Sequence, residues 1–353
     1  MTRSLPAAYV RIEDNEYMEV FGLDFEQFKI GQVFRHRPGV TISAQDNTDE
    51  CMDTQNAAQI HYDACYAAKT EFKQPLGVST LTLQKCFGIA WKTFARRDRI
   101  QLFSNIEMKE PVYAGTTLYA ESEILGQEDF DQNCGLLTVR TKAINESGTE
   151  ICSIDYQMRM YKRGRHPFYG QFDSDVSLTE ERFAAYRHEQ NGVLVEQTGM
   201  FFDDFKLGET FHHRPEKFFS SPESLEHARR SMDWNPRFTS PQFAKDYFGE
   251  TDAPLTEIYC VGAVTASTTR TLGRVVANLA WKNVQLRRLI YPSESIRTHT
   301  TVMDKRESKS RPDQGILTVT STARGSDDQT ILTYERVLLV YRKNEGPYSG
   351  AGY

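Results

Sequence analysis

Long hydrophobic runs are missing from this sequence, and no stretch approaches the roughly 20 apolar residues that a membrane-spanning helix needs. The opening residues, "MTRSLPAAYVRIEDNEY", lack the basic and then apolar profile of a signal peptide and also lack a transit-peptide pattern. Acidic and basic residues are interspersed and sum to a net charge of −6, which argues against nucleic acid as a partner. These absences predict a cytoplasmic protein that binds neither membranes nor nucleic acid.

Motifs for metals, disulfides and redox cofactors are also absent. The six cysteines show no C-x-x-C spacing, and several lie in apolar segments, as buried reduced thiols do. The sequence has no G-x-G-x-x-G motif and no H-x-x-x-H pair. We therefore expect neither a metal nor a redox cofactor.

What the 353 residues do contain is an internal repeat. The segment "FEQFKIGQVFRHRP" at 25–38 returns without gaps as "FDDFKLGETFHHRP" at 202–215, an offset of 177 residues. Further along, "GLLTV" at 135–139 corresponds to "GILTV" at 315–319, so the offset grows only to 180. The pair His36-Arg37 recurs as His213-Arg214, and this recurrence predicts an architectural role for both pairs.

Each repeat has the same order of predicted elements. Apolar residues recur at spacings of three and four and predict an amphipathic helix at about 80–96: Leu83, Phe87, Ala90, Trp91 and Phe94. The later segments "TLYAESEILG", "LLTVRTKAI" and "EICSIDYQMRMYKR" alternate in polarity and predict antiparallel strands, as do "ILTVTSTA" and "TILTYERVLLVYR" in the second half. One long helix wrapped by a twisted antiparallel sheet is the hotdog arrangement. The predicted fold class is therefore α+β, a double hotdog with two tandem repeats.

The domain boundaries follow from the repeat and from a polar segment that contains glycine and proline. We expect a first hotdog repeat at 18–165, a linker at 166–200 and a second hotdog repeat at 201–344. The chain length suits two domains of about 150 residues each.

A known family shares these features. The segment "DWNPRFTSPQFA" at 233–244 resembles the D-x-N-P-x-H motif of the MaoC-like double-hotdog hydratases and dehydratases, except that Phe238 replaces the histidine. The 177 offset places His61 opposite Phe238 and Asn56 opposite Asp233. Within the family, "TQNAAQIHYD" at 54–63 looks most similar to the mesaconyl-CoA hydratase (β-methylmalyl-CoA dehydratase) branch. The resemblance implies that the first repeat is the active half, and that the second, with its degenerate motif, forms the wall of the pocket.

The candidate catalytic residues are His61, Asn56 and Asp53. The segment "QNAAQIHYDACYAA" at 55–68 predicts a helix of small residues with His61 on its apolar face, where a packed core histidine is the alternative. Hydration of an enoyl thioester needs a base that takes a proton from water, and the resemblance assigns this role to His61. Asn56 can orient a water molecule or the imidazole, with plain helix capping as its alternative. Asp53 is a nearby carboxylate that can replace the missing motif aspartate. We expect His61 to face a cleft near the backbone of 77–79.

The candidate substrate-binding residues lie at the starts and ends of the central helices. Gly77, Val78 and Ser79 resemble the family's oxyanion hole, and a helix start capped by Ser79 is the alternative. Glu257 aligns with Val78 in the other repeat, where a carboxylate is usually a partner of the helix dipole. Arg96 and Arg97 can contact the phosphates of coenzyme A, and a charged helix end is the alternative.

These residues, with the resemblance, predict an enoyl-CoA hydratase or 3-hydroxyacyl-CoA dehydratase that acts on an acyl thioester of coenzyme A or of an acyl carrier protein. The resemblance implies that the acyl group is branched or dicarboxylic, as the mesaconyl group is. Two alternatives stay open: a hotdog acyl-CoA thioesterase, and a catalytically degenerate protein that binds acyl thioesters. A homodimer is compatible with such a fold.

Overall fold

A computed structural model describes residues 5–168, 180–189 and 191–353. The strands, in chain order, are β1 (Tyr9–Glu13), β2 (Glu16–Glu19), β3 (Val33–Thr41), β4 (Arg97–Met108), β5 (Thr117–Asp129), β6 (Cys134–Asn145), β7 (Glu150–Tyr161), β8 (Tyr186–His188), β9 (Leu194–Glu196), β10 (Thr210–Phe218), β11 (Val275–Leu286), β12 (Ser295–Glu307), β13 (Gln314–Arg324) and β14 (Thr330–Tyr341). The α-helices are α1 (Ala44–Thr54), α2 (Ala64–Ala67), α3 (Ser79–Ile89), α4 (Ser221–Arg230), α5 (Pro236–Thr239), α6 (Pro241–Phe248) and α7 (Glu257–Ser267). Short 3-10 helices lie at Phe25–Gln27, Gln59–His61, Ala90–Lys92, Glu181–Phe183, Phe202–Asp204 and Thr268–Arg270.

The chain folds into two compact units, each with one central helix against one sheet. In the first unit the strand order is β4-β7-β6-β5-β3-β9-β8, and α3 packs on β3, β5 and β6. In the second unit the order is β1-β2-β10-β12-β13-β14-β11, and α7 packs on β10 and β13. Because each sheet is antiparallel except at one junction, the predicted α+β double hotdog is confirmed.

The alternating polarity of the strands produces the core of each unit. In β5 and β6 every second residue is buried, so one face of the sheet packs on α3 and the other faces outward. The core of the first unit is built around side chains such as Phe34, Leu118 and Tyr156, and that of the second around Phe219, Leu255 and Tyr334. The central helix predicted at 80–96 is shorter in the structure, because α3 ends at Ile89 and a 3-10 turn follows.

The boundaries of the units differ from the predicted 18–165, 166–200 and 201–344. Of the described residues, the first unit comprises 5–8, 20–168, 180–189, 191–197 and 353, and the second comprises 9–19 and 198–352. The difference arises because the hairpin β1–β2 pairs in the second sheet, where β2 runs parallel to β10. The predicted linker contains β8 and β9, and β9 pairs in parallel with β3 of the first sheet. Residues 169–179 and 190 of that linker lie outside the described residues.

Each unit contains a buried carboxylate bonded to a histidine. In the first unit the Glu196 carboxylate on β9 lies 3.0 Å from His36 Nδ1 and accepts a 2.6 Å hydrogen bond from the Thr93 hydroxyl. His36 Nε2 lies 2.8 Å from the Ser122 hydroxyl oxygen, so both nitrogens of this buried ring are bonded. The backbone N–H of Arg37 also donates to Glu196, over 3.2 Å.

The second unit repeats this arrangement with different residues. Glu19 on β2 lies 3.0 Å from His213 Nδ1 and accepts hydrogen bonds from the Thr271 hydroxyl and from the backbone N–H of Arg214. The Thr300 hydroxyl oxygen lies 2.9 Å from His213 Nε2. The architectural role predicted for both His-Arg pairs is therefore confirmed.

All six cysteines are unpaired, and only Cys65 is exposed. None of the helices in the described residues is both long and apolar enough to cross a membrane.

The buried carboxylate of Glu196 makes folding stability depend on pH. Burial alone would raise its pKa, but the positive charges of Lys92 and His36 and the hydrogen bonds from His36 and Thr93 lower its pKa from 4.5 to about 2. Because the folded-state pKa lies below the unfolded value, this contribution is present above pH 4.5 and is lost as the pH falls toward 2.

We predict that Glu196→Gln lowers the free energy of unfolding at neutral pH by about 1.5–3 kcal/mol, because hydrogen bonds to a buried charge are lost. In the variant the decrease in stability between pH 4.5 and 2 should be smaller than in the wild type. Urea denaturation across this pH range measures both effects. Glu226→Gln is the matched control, because Glu226 forms an exposed ion pair with Arg230 and should change stability by less than about 1 kcal/mol. Equal losses of stability in both variants would contradict the stabilising role of the ionised Glu196 carboxylate.

Candidate functional site

The segment 55–68 does not form the predicted helix. Helix α1 ends at Thr54, and Gln55 adopts a left-handed conformation with φ of 57°. The Asn56 side-chain oxygen accepts the backbone N–H of Ala58, and the Asp63 carboxylate accepts that of Tyr66 at the start of α2. These local side-chain bonds compete with helical ones, so the prediction of a helix through this segment was wrong. His61 instead ends a short 3-10 helix.

The His61 ring makes a single hydrogen bond that fixes its tautomer. Its Nδ1 lies 2.8 Å from the carbonyl oxygen of Leu76. A carbonyl oxygen only accepts, so in the neutral ring Nδ1 carries the proton and Nε2 has a lone pair. Within the described residues Nε2 has no partner, and the side chain is half-buried. This arrangement leaves Nε2 able to accept a proton.

Asn47 holds residues 55–63, called the His61 loop below, against the start of α3. Its side-chain amide donates to the carbonyl oxygens of His61, over 2.5 Å, and of Leu76, over 3.0 Å. Its side-chain oxygen accepts the backbone N–H of Val78 over 2.7 Å. Asn47 is buried on α1 and uses both sides of its amide group, so it fixes His61 relative to the helix start. Sequence reasoning missed this residue, although the capping box of Ser43 and Asp46 could have revealed α1.

The backbone N–H groups at the start of α3 are not all available. That of Gly77 donates to the Val112 carbonyl oxygen over 2.7 Å, and that of Val78 is held by Asn47. A Cβ at Gly77 would lie 2.8 Å from the same Val112 oxygen, which explains the glycine. Helix α3 has no side-chain cap, and the N–H groups of Ser79 and Thr80 have no acceptor within the described residues. The unpaired donors therefore begin at Ser79, one residue beyond Val78.

Glu50 is a second residue that sequence reasoning missed. Its buried carboxylate accepts a 2.8 Å hydrogen bond from the Thr80 hydroxyl and a 3.0 Å hydrogen bond from the Gln84 amide. A carboxylate beside a helix N-terminus interacts favourably with the helix dipole. Glu50 therefore joins α1 to the first turn of α3.

The other candidate catalytic residues do not contact His61. Asp53 is exposed on α1, and its carboxylate forms no hydrogen bond or ion pair with any described residue. The Asn56 side-chain oxygen accepts the backbone N–H of Ala58 in a local turn, and the 3-10 helix at Gln59–His61 has no side-chain cap. Of the predicted site residues, the structure places Gly77 and Val78 beside the His61 loop.

The remaining predicted binding residues are Arg96 and Arg97, which follow α3 in the first unit, and Glu257, which belongs to the second unit. Arg96 is buried, and its Nη1 lies 2.5 Å from the Asp24 carboxylate, so its charge is already paired. Arg97 is exposed at the start of β4. Glu257 is exposed at the first position of α7 in the second unit.

The alignment of Glu257 with Val78 was wrong by one residue. The backbone N–H of Leu255 donates to the Ile290 carbonyl oxygen, as that of Gly77 does to Val112. Thr256 is therefore the counterpart of Val78, and Glu257 that of Ser79.

The second unit lacks the groups that hold and form the His61 site. Phe238 is buried on α5 in the place of His61. Ser224 on α4 takes the place of Asn47, and its buried hydroxyl has no partner among the described residues. The Asp233 carboxylate forms no hydrogen bond or ion pair with any described residue. The described residues also contain no cluster of three or more His, Cys, Asp or Glu side chains that could hold a metal ion.

We predict that neutral His61 is protonated at Nδ1 and not at Nε2. Nitrogen-15 NMR of ring-labelled protein distinguishes the two tautomers, and His61→Gln identifies the signal. Asn47→Ala should weaken this preference, because the Asn47 amide holds the carbonyl groups of His61 and Leu76 in place. A ring protonated mainly at Nε2 in the wild type would contradict the hydrogen bond to Leu76.

The second half of the chain matches a known family by sequence. Residues 180–351 match the family model for mesaconyl-CoA hydratase. The mesaconyl-CoA hydratase of Cereibacter sphaeroides is 26% identical over 152 residues, which cover 41% of this chain and 42% of that protein. The match therefore spans about two fifths of the relative's length.

Solved structures similar to this chain include one that covers most of it and one that covers about two fifths of it. One is a conserved hypothetical protein from Mycobacterium tuberculosis with a double hotdog fold, which is 17% identical, covers 91% of this chain and 99% of its own, and has a TM-score of 0.39. Another is a MaoC-like dehydratase from Rhodospirillum rubrum, which is 16% identical. The match covers 42% of this chain and 100% of that protein, with a TM-score of 0.37. The resemblance to mesaconyl-CoA hydratase found in the sequence is confirmed by the family match, which covers the second half of the chain.

Proposed function

We propose that this protein is a hydro-lyase that adds water to an enoyl-CoA or removes water from a 3-hydroxyacyl-CoA. The observation that carries the proposal is the His61 ring, whose Nε2 is unbonded within the described residues and whose Nδ1 is bonded to Leu76 beside the uncapped start of α3. The match to mesaconyl-CoA hydratase supports the same reaction class.

In the hydration direction, His61 Nε2 takes a proton from water while the water oxygen bonds to the β-carbon of the enoyl group. Electrons move through the double bond onto the thioester oxygen, where negative charge develops. The imidazolium then returns the proton to the α-carbon, so the atoms of one water molecule are added. Dehydration is the reverse, and neither direction needs a metal or a redox cofactor.

The unpaired N–H groups of Ser79 and Thr80 are the proposed donors to the thioester oxygen. Preorganised backbone donors of this kind stabilise a developing oxyanion and commonly contribute a factor of about 10²–10³ in rate. Gly77 and Val78 shape this site but donate elsewhere. Asn47 is a positioning residue, because its hydrogen bonds reach both the His61 loop and Val78.

Asp53 and Asn56 remain proposed contributors on the His61 side of the site. Asp53 has an exposed carboxylate that can orient water, and the amide nitrogen of Asn56 is not used by any described residue. Arg97 is exposed and remains a proposed contact for the phosphates of coenzyme A. We do not extend this proposal to Arg96, whose charge is paired, or to Glu257 in the second unit.

The proposed substrate is an acyl thioester, with a branched or dicarboxylic acyl group such as mesaconyl as the first choice, carried by coenzyme A or by an acyl carrier protein. The six unpaired cysteines fit the reducing conditions of the cytoplasm, which is the proposed location. A homodimer stays a prediction. Thioester hydrolysis is the rival reaction, and it would release free coenzyme A thiol, whereas hydration leaves the thioester intact.

We predict that His61→Ala lowers turnover of an accepted enoyl-CoA by about 10²–10⁴-fold, because the general base is lost. Asp233→Ala is the matched control at the corresponding segment of the second unit and should change turnover far less. The fall in enoyl absorbance measures the rates, and circular dichroism shows that each variant is folded. If Asp233→Ala in folded protein were as damaging as His61→Ala, the assignment of the site to the first unit would be wrong.

We predict that Asn56→Asp retains activity and shifts its pH dependence. An aspartate at this position can still accept the N–H of Ala58, and it restores the carboxylate of the family motif. Asn56→Ala should lower turnover less than His61→Ala, because an orienting hydrogen bond contributes less than the base. Steady-state rates across pH measure these effects. A turnover in Asn56→Asp as low as that of His61→Ala would remove Asn56 from the proposed site.

A further inference from the structure

Strand β4 is a long edge of the sheet in the first unit. It pairs with β7 along one side, and among the described residues no strand pairs along its other side. The opposite edge of the sheet, β8, has three residues, whereas β4 has twelve. The free N–H and C=O groups of an edge pair readily with another strand, so soluble proteins usually keep edge strands short or protect them. A twelve-residue edge is therefore suited to a partner.

The core-facing side of β4 is apolar and uncovered. Four of its side chains share that side of the sheet with buried residues of β7: Ile100, Phe103, Ile106 and Met108. Every residue of β4 except Ile100 is exposed, and the exposures of Phe103, Ile106 and Met108 lie between 42% and 49%. Exposed apolar strips of this kind commonly mark surfaces where another protein docks.

Helix α3 leaves open space beside this strip. Phe87 on α3 packs edge-on against Phe103, with the ring centroids 5.7 Å apart. The next residue, Gly88, is exposed, and a Cβ there would meet no atom of the described residues within 4 Å. A second molecule can therefore approach both the strand and the adjacent helix.

The apolar residues of β4 are arranged symmetrically about Phe103. Shifts in the register between β4 and β7 space the core-facing residues by three, so Ile100 precedes Phe103 by three positions and Ile106 follows it by three. Consider β4 of a second copy, antiparallel to the first, with the two Phe103 residues opposite each other. Ile100 of each copy then faces Ile106 of the other, and all these side chains lie on the core-facing side.

The same register matches the charges. Arg99 precedes Phe103 by four positions, Glu107 follows it by four, and both side chains point to the outer side of the sheet. Arg99 of each copy therefore faces Glu107 of the other. Among the described residues the Arg99 side chain has an ion pair only with Asp98, at 4.0 Å, and the Glu107 carboxylate accepts a hydrogen bond only from the Asn105 amide. Opposite charges that face each other across antiparallel strands stabilise the pair.

Strand β11, the corresponding edge in the second unit, lacks this symmetry. Three replacements distinguish it from β4, at an offset of 178 residues: Arg99 by Ala277, Ile100 by Asn278 and Glu107 by Gln285. Two β11 strands in the same register would form no ion pair and would place the Asn278 amide against the apolar side chain of Val284. Charge and polarity therefore favour β4 as the contact.

We propose that two copies of this chain form a dimer through β4, with the strands antiparallel and the two Phe103 residues at the twofold axis. A twofold contact uses the same surface on both copies, as the symmetry of β4 requires. An edge of twelve residues is about 40 Å long and, with side chains on both sides, buries on the order of 1,000 Å² in total, which is near the lower limit for a stable dimer. This contact does not depend on the proposed hydratase activity.

Sedimentation velocity of the full chain over a range of concentrations tests the dimer. The wild type should approach twice the chain mass of 40.5 kDa as its concentration rises. Arg99→Glu places like charges opposite each other at two positions and should weaken the dimer by about tenfold or more. The double variant Arg99→Glu/Glu107→Arg restores both ion pairs with the charges exchanged and should dimerise as the wild type does.

Arg306→Glu is the matched control. Arg306 is an exposed arginine on β12, an interior strand of the second sheet, so its reversal should leave the dimer unchanged. Circular dichroism shows that each variant is folded.

Cysteine cross-linking tests the register. In a Cys65→Ser background, which removes the exposed native thiol, the double variant Arg99→Cys/Glu107→Cys should give a disulfide-linked dimer on oxidation. Residues directly opposite each other in antiparallel strands lie within the distance that a disulfide spans. Each single variant is a control, because the same position in the two copies would lie about 27 Å apart, eight residues along the strand.

A wild type that sediments as a monomer at every concentration would overturn the proposal. So would a wild-type dimer that Arg99→Glu does not weaken, or a charge-exchanged double variant that stays as weak as Arg99→Glu. Equal cross-linking in the single and double cysteine variants would overturn the register on which the contact depends.

Discussion

A buried carboxylate in each unit bonds both to the residue that follows the central helix and its 3-10 turn and to a histidine of the sheet. In the first unit Glu196 bonds to Thr93, just beyond α3, and to His36 on β3. The helix is therefore fixed to the sheet at its C-terminal end. Its N-terminal end has no side-chain cap, as is also true of α7 in the second unit, whereas α1, α2, α4, α5 and α6 all have one. A helix held in this way keeps unpaired N–H groups pointing in one direction, as an oxyanion site requires.

The sequence predicted the elements whose pattern is local. Alternation in β5, β6 and β7 and the spacing of apolar residues in α3 are visible in the chain, and the repeat showed that the order is used twice. The helix predicted through 55–68 was wrong because Asn56 and Asp63 bond to nearby backbone N–H groups, an effect that apolar spacing does not reveal.

The contacts that build the site are long-range, and the sequence could not predict them. Asn47 joins residues 14 to 31 positions away, and Val112 takes the N–H of Gly77 from a different loop. The resemblance pointed to Gly77, Val78 and Ser79, whereas the N–H groups without a described partner are those of Ser79 and Thr80. The alignment between the repeats was also wrong by one residue in this region. It placed Glu257 opposite Val78, whereas the structure places Glu257 opposite Ser79.

The two units keep the same internal network and differ around it. The first retains the imidazole of His61 and the amide of Asn47, where the second has Phe238 and Ser224. The central claim is that the first unit adds water to the double bond of an enoyl thioester. Incubation of the wild-type protein with crotonyl-CoA and mesaconyl-CoA in oxygen-18 water, followed by mass spectrometry, tests this claim most directly. The account predicts the label in the hydroxyl group of an intact 3-hydroxyacyl-CoA. Label in a free carboxylic acid, together with free coenzyme A, or no label in any product, would contradict it.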